Sequence, residues 1–235
     1  MDNKALKLAS LFAYSPNSHG YCGLESASAA FSKCIKHGSC NTVAKELKSF
    51  ITLYPYLKTI SRIRKLQFYD YKVIEAYWIG NELLKDFPIS GYQMLIQEFE
   101  KQGVPKWLTK DLSKRYPKKF IPHHLFQVLH VGVGQASGSV PFNIKSINDC
   151  MIRFGDVKKL QKDYLVASIN GLQKNGSKYE LNKGDVKIHI NDALFFKPKI
   201  HSRICIHWGH IVKKFTIKEE KNIRFWSNEV LKSLL

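Results

Sequence analysis

Gly132-Val133-Gly134-Gln135-Ala136-Ser137-Gly138-Ser139-Val140-Pro141 is the stretch at which the hydrophobic period of the chain changes. Upstream, apolar residues recur at helical spacing. Residues 43–54 place Val43, Leu47, Phe50, Ile51 and Tyr54 on one face. Residues 24–37 are Ala/Ser-rich and end at Gly38, a good helix stop. Residues 70–84, 92–102 and 105–115 read as further helices, with Pro55, Pro117 and Pro122 as interruptions. Downstream, residues 150–160, 164–170, 186–190 and 204–215 alternate on a period of two and read as strands. Asn175-Gly176 is a hairpin signal between two of them. Residues 217–235 close the chain as an amphipathic helix. The expected fold class is α+β. It comprises a helical domain (1–131), a linker or broad loop (132–146), and a small β-barrel with a terminal helix (147–235).

Composition narrows the function classes. The chain has 235 residues, 44% apolar and 24% charged, which is ordinary globular usage. Its formal charge of +18 comes from 37 basic residues against 19 acidic. Only six of the basic residues are Arg, and the excess is even along the chain: 20 against 10 up to residue 145, and 17 against 9 beyond. A diffuse Lys excess lacks the planar Arg forks favoured in phosphate and base recognition. Nucleic acid is therefore an unfavoured partner, although Phe154, Tyr164 and Trp208 on a barrel would form a stacking platform for single strands. No run has the roughly 18 apolar residues of a membrane span, and no signal-peptide pattern opens the chain. The expected location is cytoplasmic. Five cysteines, an odd number, are then expected to be free thiols, ligands or nucleophiles. Cys34-x-x-His37-x-x-Cys40 has the outline of a partial metal site without a close fourth ligand.

Two C-terminal segments carry a resemblance. One is Cys150-Met-Ile-Arg-Phe-Gly155-Asp-Val157-Lys-Lys-Leu160. The other is Arg203-Ile-Cys-Ile-His207-Trp-Gly209-His-Ile-Val-Lys-Lys-Phe-Thr-Ile-Lys-Glu219-Glu220. Together they resemble the start and end of the HypC/HupF family of NiFe-hydrogenase maturation chaperones. The resemblance implies an OB-like barrel with a C-terminal helix. It also implies iron carrying cyanide and carbonyl ligands, held by Cys150 as ligand with His207 as its companion. The partners it implies are a maturation scaffold and the hydrogenase large-subunit precursor. A thiolate is a soft ligand suited to such iron, and imidazole can ligate or hydrogen-bond.

In the helical half, Phe12-Ala-Tyr14-Ser-Pro16-Asn17-Ser-His19-Gly20-Tyr21-Cys22-Gly23-Leu-Glu25 sets a Cys between two glycines. This stretch also resembles the N-terminal part of an uncharacterised archaeal and bacterial protein family, which implies no biochemical role. A thiol in a turn entering a helix is expected to be thiolate-prone, with His19 as a base. Glu75, Trp78 and Glu82 are spaced for one helical face, and Glu75 beside an aromatic suits acid–base work. Cys22, His19 and Glu75 are thus the candidate catalytic residues. Asn17, Tyr21, Trp78, Asn81, His124 and His130 are candidate ligand contacts. No P-loop, H-E-x-x-H or G-x-S-x-G motif is present. The leading expectation is an accessory factor of hydrogenase maturation. A thiol enzyme using Cys22 is the alternative, and single-strand nucleic-acid binding ranks below it.

Overall fold

The computed structural model describes residues 2–176, 178–190 and 196–234. Residues 1, 177, 191–195 and 235, which fall within the predicted domains, lie outside the described residues. The helical period builds α1 (Asn3–Ser18), α2 (Ala27–His37), α3 (Val43–Leu47), α4 (Leu53–Arg64) and α5 (Tyr71–Trp78). A 3-10 turn (Glu82–Leu84) follows, then α6 (Ser90–Gln102), α7 (Lys106–Lys114) and α8 (His124–Phe126), which runs into a π-helical segment, Gln127–Gly132. After α9 (Ile144–Cys150) come β1 (Arg153–Leu160), β2 (Tyr164–Asn175), β3 (Lys178–His189), β4 (Arg203–His207) and β5 (His210–Lys214). The described residues end in α10 (Ile217–Ser233).

Local chemistry explains several boundaries. Asp2 starts α1 by accepting from the Lys4 and Ala5 amides. The left-handed Gly38 ends α2 as expected. Pro55 does not interrupt a helix. It lies at the third position of α4, where the missing N–H is one of the unpaired amides of the first turn. The predicted helix over 70–84 stops at Trp78, because Gly80 has a left-handed φ of +89°. A Cβ there would fall 2.2 Å from the Trp226 ring, so Gly80 is both a helix stop and a seat for α10. Glu75 and Trp78 therefore share α5, while Glu82 lies beyond its end in the 3-10 turn. Cys34 and Cys40 form a disulfide, which corrects the free-thiol and metal-site expectations for that pair. Cys22, Cys150 and Cys205 are free.

The five strands pair antiparallel in the order β3-β2-β1-β4-β5. The expected hairpin at Asn175-Gly176 is present, with Asn175 opposite Lys178. The order leaves β3 and β5 as edges, so among the described residues strand pairing does not close the sheet into the expected barrel. The run 204–215 is two strands, turned at Trp208-Gly209, both at positive φ. Period-two alternation then gives the sheet two faces. Val157, Leu165, Ala167, Ile169, Ile204, Ile206 and Ile211 form a small core on one side. Phe154, Cys205 and Val212 face the other way and join the main core shared with the helices. This register turns His207, which follows Ile206, toward α1.

Cys150 does not open a strand. Asn143 caps a helix by accepting from the Ser146 amide, and Cys150 is the last residue of that helix. Asn148 pins α9 to the sheet by exchanging two hydrogen bonds with the Leu172 backbone, at 2.9 and 2.8 Å. No helix among the described residues is long and apolar enough to cross a membrane.

Candidate metal centre and cavity

A cavity of about 300 Å³ lies between the helical half and the sheet. Its walls come from elements far apart in sequence. They are the Gly20–Gly23 turn, the segment 49–53, α5, the α8/π-helical segment, the 132–140 loop, the end of α9, and the β4–β5 turn. The Gly/Ser-rich stretch that divides the two periods is therefore a wall of this cavity. π-helical turns of the kind that precedes it are frequent at functional sites.

At the inner end, His124, Cys150 and His207 bring one ligand atom each within 4.8 Å of one another. All three are buried. His124 Nε2 is 3.9 Å from Cys150 Sγ. Tetrahedral sites with metal–nitrogen bonds near 2.0 Å and metal–sulfur bonds near 2.3 Å place their ligand atoms roughly 3.5 Å apart, so shifts on the order of 1 Å close this cluster around an ion.

The histidine orientations have identifiable causes. Pro16 lies inside α1 and lacks an N–H, so the Phe12 carbonyl loses its ordinary helical donor. His207 Nδ1–H fills that vacancy at 2.8 Å. A carbonyl can only accept, so the proton sits on Nδ1. Nε2 is left as a bare lone pair that accepts no hydrogen bond from the described residues. A ring N–H held by a backbone carbonyl is the usual outer-shell arrangement of a metal-ligating histidine. His124 sits with Nε2 2.8 Å from the Cys150 carbonyl and Nδ1 3.1 Å from the Tyr77 hydroxyl. When Nε2 ligates, its proton must move to Nδ1. The Tyr77 oxygen then accepts it, and Tyr77 donates onward to Gln127 Oε1 at 3.2 Å.

Burial keeps both imidazoles neutral and ligand-competent. His124 is pushed down to about 4, chiefly by burial. His207 is held well below the usual histidine range by burial and by the neighbouring His124. The Cys150 thiol is pushed well above its ordinary value by burial and by Cys22. The Trp208 indole N–H opposes this and favours the thiolate, although it lies outside hydrogen-bond geometry. A bound cation is what would deprotonate this thiol.

Pro16→Ala should restore the N–H that competes for the Phe12 carbonyl. The expected result is an unchanged or higher melting temperature with metal affinity lowered about tenfold, the scale of losing an outer-shell partner. Cobalt(II) titration of the two proteins checks this. Equal affinities would mean that Pro16 does not position His207.

The structure brings some predicted site residues together and leaves others apart. Cys22, Tyr21, Trp78, His124, Cys150 and His207 line the cavity. Trp78 packs against both histidines, with ring centroids 4.5 Å from His124 and 5.6 Å from His207. Tyr21 packs on Trp208 at 4.5 Å. Asn17 is buried outside the lining and donates to the Cys22 and Leu24 carbonyls at 2.7 and 2.8 Å, holding the Cys22 turn in place. His19 is also outside, stacked on Tyr21 and edge-on to His210. Glu75 accepts from Asn81, which also holds the Lys72 carbonyl and the Leu83 amide, so this pair braces the end of α5. His130 is held by the Tyr92 hydroxyl at 2.8 Å, away from the cavity.

Cys22 is not activated as expected. It sits in a turn before α2 rather than at its first turn, and burial pushes its thiol up to about 12. Of the proposed stacking platform, Phe154 is buried in the core and Trp208 faces the cavity, so neither joins Tyr164 on a common surface. Tyr77, Gln127 and the freed Phe12 carbonyl are the parts that the sequence did not single out. Pro16, four residues after Phe12, is the one sequence signal that could have found the last of these.

The chain belongs to a family of unknown function, DUF6390, whose model matches residues 2–234. No curated protein and no solved structure matches it.

Proposed function

We propose that this protein is a metal-binding accessory factor, holding one transition metal at His124, Cys150 and His207, and that it serves NiFe-hydrogenase maturation. One observation carries the metal reading. Cys150 and His207, paired by the resemblance to the maturation chaperones, lie in one buried cluster, and a second neutral histidine lies beside them. One thiolate and two imidazoles suit iron(II), cobalt(II) or zinc(II), and three protein ligands leave an open position. In this reading the metal, with any cyanide or carbonyl ligands, is cargo. His207 is held for it by Phe12, His124 by Tyr77 and Gln127, and the apolar walls keep water from the thiolate. The link to hydrogenase rests on the resemblance of the segments 150–160 and 203–220.

The test combines two measurements on anaerobically purified protein. Metal content with infrared spectroscopy in the cyanide and carbonyl region reads the cargo. Pull-down against the maturation scaffold and the large-subunit precursor reads the partners, with Cys150→Ala and His207→Ala as comparisons. The expected result is about one metal per chain and an association weakened in both variants. Absence of metal together with no association would overturn the proposal.

A further inference from the structure

Among the described residues the cavity walls hold no Lys, Arg, Asp or Glu. That is a strong selection in a chain with 37 basic and 19 acidic residues. The walls are instead aromatic, apolar or hydroxyl-bearing, with Tyr21, Phe50, Tyr77, Trp78 and Trp208 among them. A permanently charged molecule entering this space would lose its hydration and find no counter-charge. A second observation is independent of the first. Among the described residues the indole N–H groups of Trp78 and Trp208 are both buried without a hydrogen bond, Trp208 having only the Cys150 sulfur near it, outside hydrogen-bond geometry. Buried donors of this kind are rare and call for a ligand or water. Trp78 itself is 3% exposed, so bulk water does not satisfy it.

We infer that the cavity is a binding site for a neutral, planar small molecule carrying at least one hydrogen-bond acceptor, such as an amide or conjugated carbonyl. The aromatic walls take its faces, and the indole N–H groups of Trp78 and Trp208 donate to its acceptor atoms. The volume sits at the lower end of the roughly 300–1,000 Å³ of ligand pockets, which sets the ligand at small size. Phosphorylated metabolites, nucleotides and free carboxylates are excluded by the uncharged walls. The site stands without the metal reading. With a metal present, the same ligand would lie beside its open position.

Three probes of one shape and different charge test it: benzamide, benzoate and benzamidinium. Each is titrated into chelator-treated, metal-free protein by calorimetry, with tryptophan fluorescence alongside. Benzamide should bind at least tenfold more tightly than either ion. Trp78→Phe keeps a ring and removes the N–H, and should weaken benzamide about tenfold, the scale of one lost hydrogen bond in a dry site. Ser139→Asp places a fixed charge on the wall and should raise benzamidinium while lowering benzoate. Thermal melts confirm that both variants are folded. No benzamide binding at millimolar concentration, equal binding of the three probes, or Ser139→Asp without effect would each overturn the inference. Repeating the titration on cobalt(II)-loaded protein separates the two proposals. A cobalt(II)–thiolate band without probe discrimination refutes the ligand site alone, and discrimination without that band refutes the metal site alone.

Discussion

Cys150→Ala should abolish tight metal binding while leaving a folded chain. The substitution removes the only anionic ligand of the cluster and leaves two neutral imidazoles. The loss should exceed the roughly 10–100-fold that follows removal of an outer-shell partner. In the parent protein, His124 and His207 are already neutral at pH 7, so the thiol is the one group that must give up a proton. Binding should therefore release one proton per metal, and affinity should rise about tenfold per pH unit between pH 6 and 8. Cobalt(II) titration at three pH values in two buffers of different ionisation enthalpy reads both quantities. Release of no proton would mean that the sulfur does not ligate. Retained tight binding in Cys150→Ala would remove it from the site.

Acid should begin to destabilise this protein near pH 6, above the range in which its carboxylates protonate. His123, His124 and His207 are buried and neutral. Burial pushes His123 down to about 3 and His124 to about 4, and it holds His207 well below its ordinary value. His130, less buried, is also pushed down to about 4, by burial and by Arg115. In the unfolded chain each would titrate near 6.5. Above that value both states are neutral and the full stability is present. As pH falls below it, the unfolded state takes protons first, and stability drops until the folded values are reached. By pH 4.5 the loss is on the order of 2–3 kcal/mol each for His123 and His124, and His207 adds to it in the same direction. The sum is a large part of the ~5–15 kcal/mol that holds a typical domain together. Urea denaturation at pH 7, 6, 5 and 4.5 should show a midpoint that falls steeply below pH 6. A flat midpoint across that interval would show that these imidazoles are protonated inside the fold. Bound metal should delay the fall, since a ligated nitrogen has no lone pair for a proton.

Much of the architecture was legible from one dimension. The change of period at 132–141, the αL stop at Gly38 and the hairpin at Asn175-Gly176 are local chemistry, and each is found where the residues placed it. Errors came where a local signal was outweighed by something distant or by position within a turn. Residues 70–84 read as one helix until Gly80, left-handed against Trp226 146 positions away, was found to stop it at Trp78. Pro55 read as an interruption because its tolerance depends on which turn of the helix it occupies. Cys150 read as the opening of a strand because Ile147 and Cys150 suit either an inward helical face or an alternating run, and the Asn143 cap decided between them. Cys34 and Cys40 read as thiols because compartment arguments say nothing of how close two sulfurs lie.

The sequence by itself determined the α+β class, the change from helices to strands and the residue types capable of chemistry, since these depend on period and side-chain identity. It also singled out Cys150 and His207 as one pair by resemblance, but it assigned His124, Trp78 and Cys22 to other sites. Only the tertiary structure joined them. The β4–β5 turn at Trp208-Gly209 and the alternation of Ile204, Cys205, Ile206 and His207 aim one histidine at the Phe12 carbonyl that Pro16 set free. The end of α9 supplies the thiol, and α8 supplies the second imidazole. Which residues share a cavity is set by the packing of one core across both halves of the chain, and no period within either half carries that information.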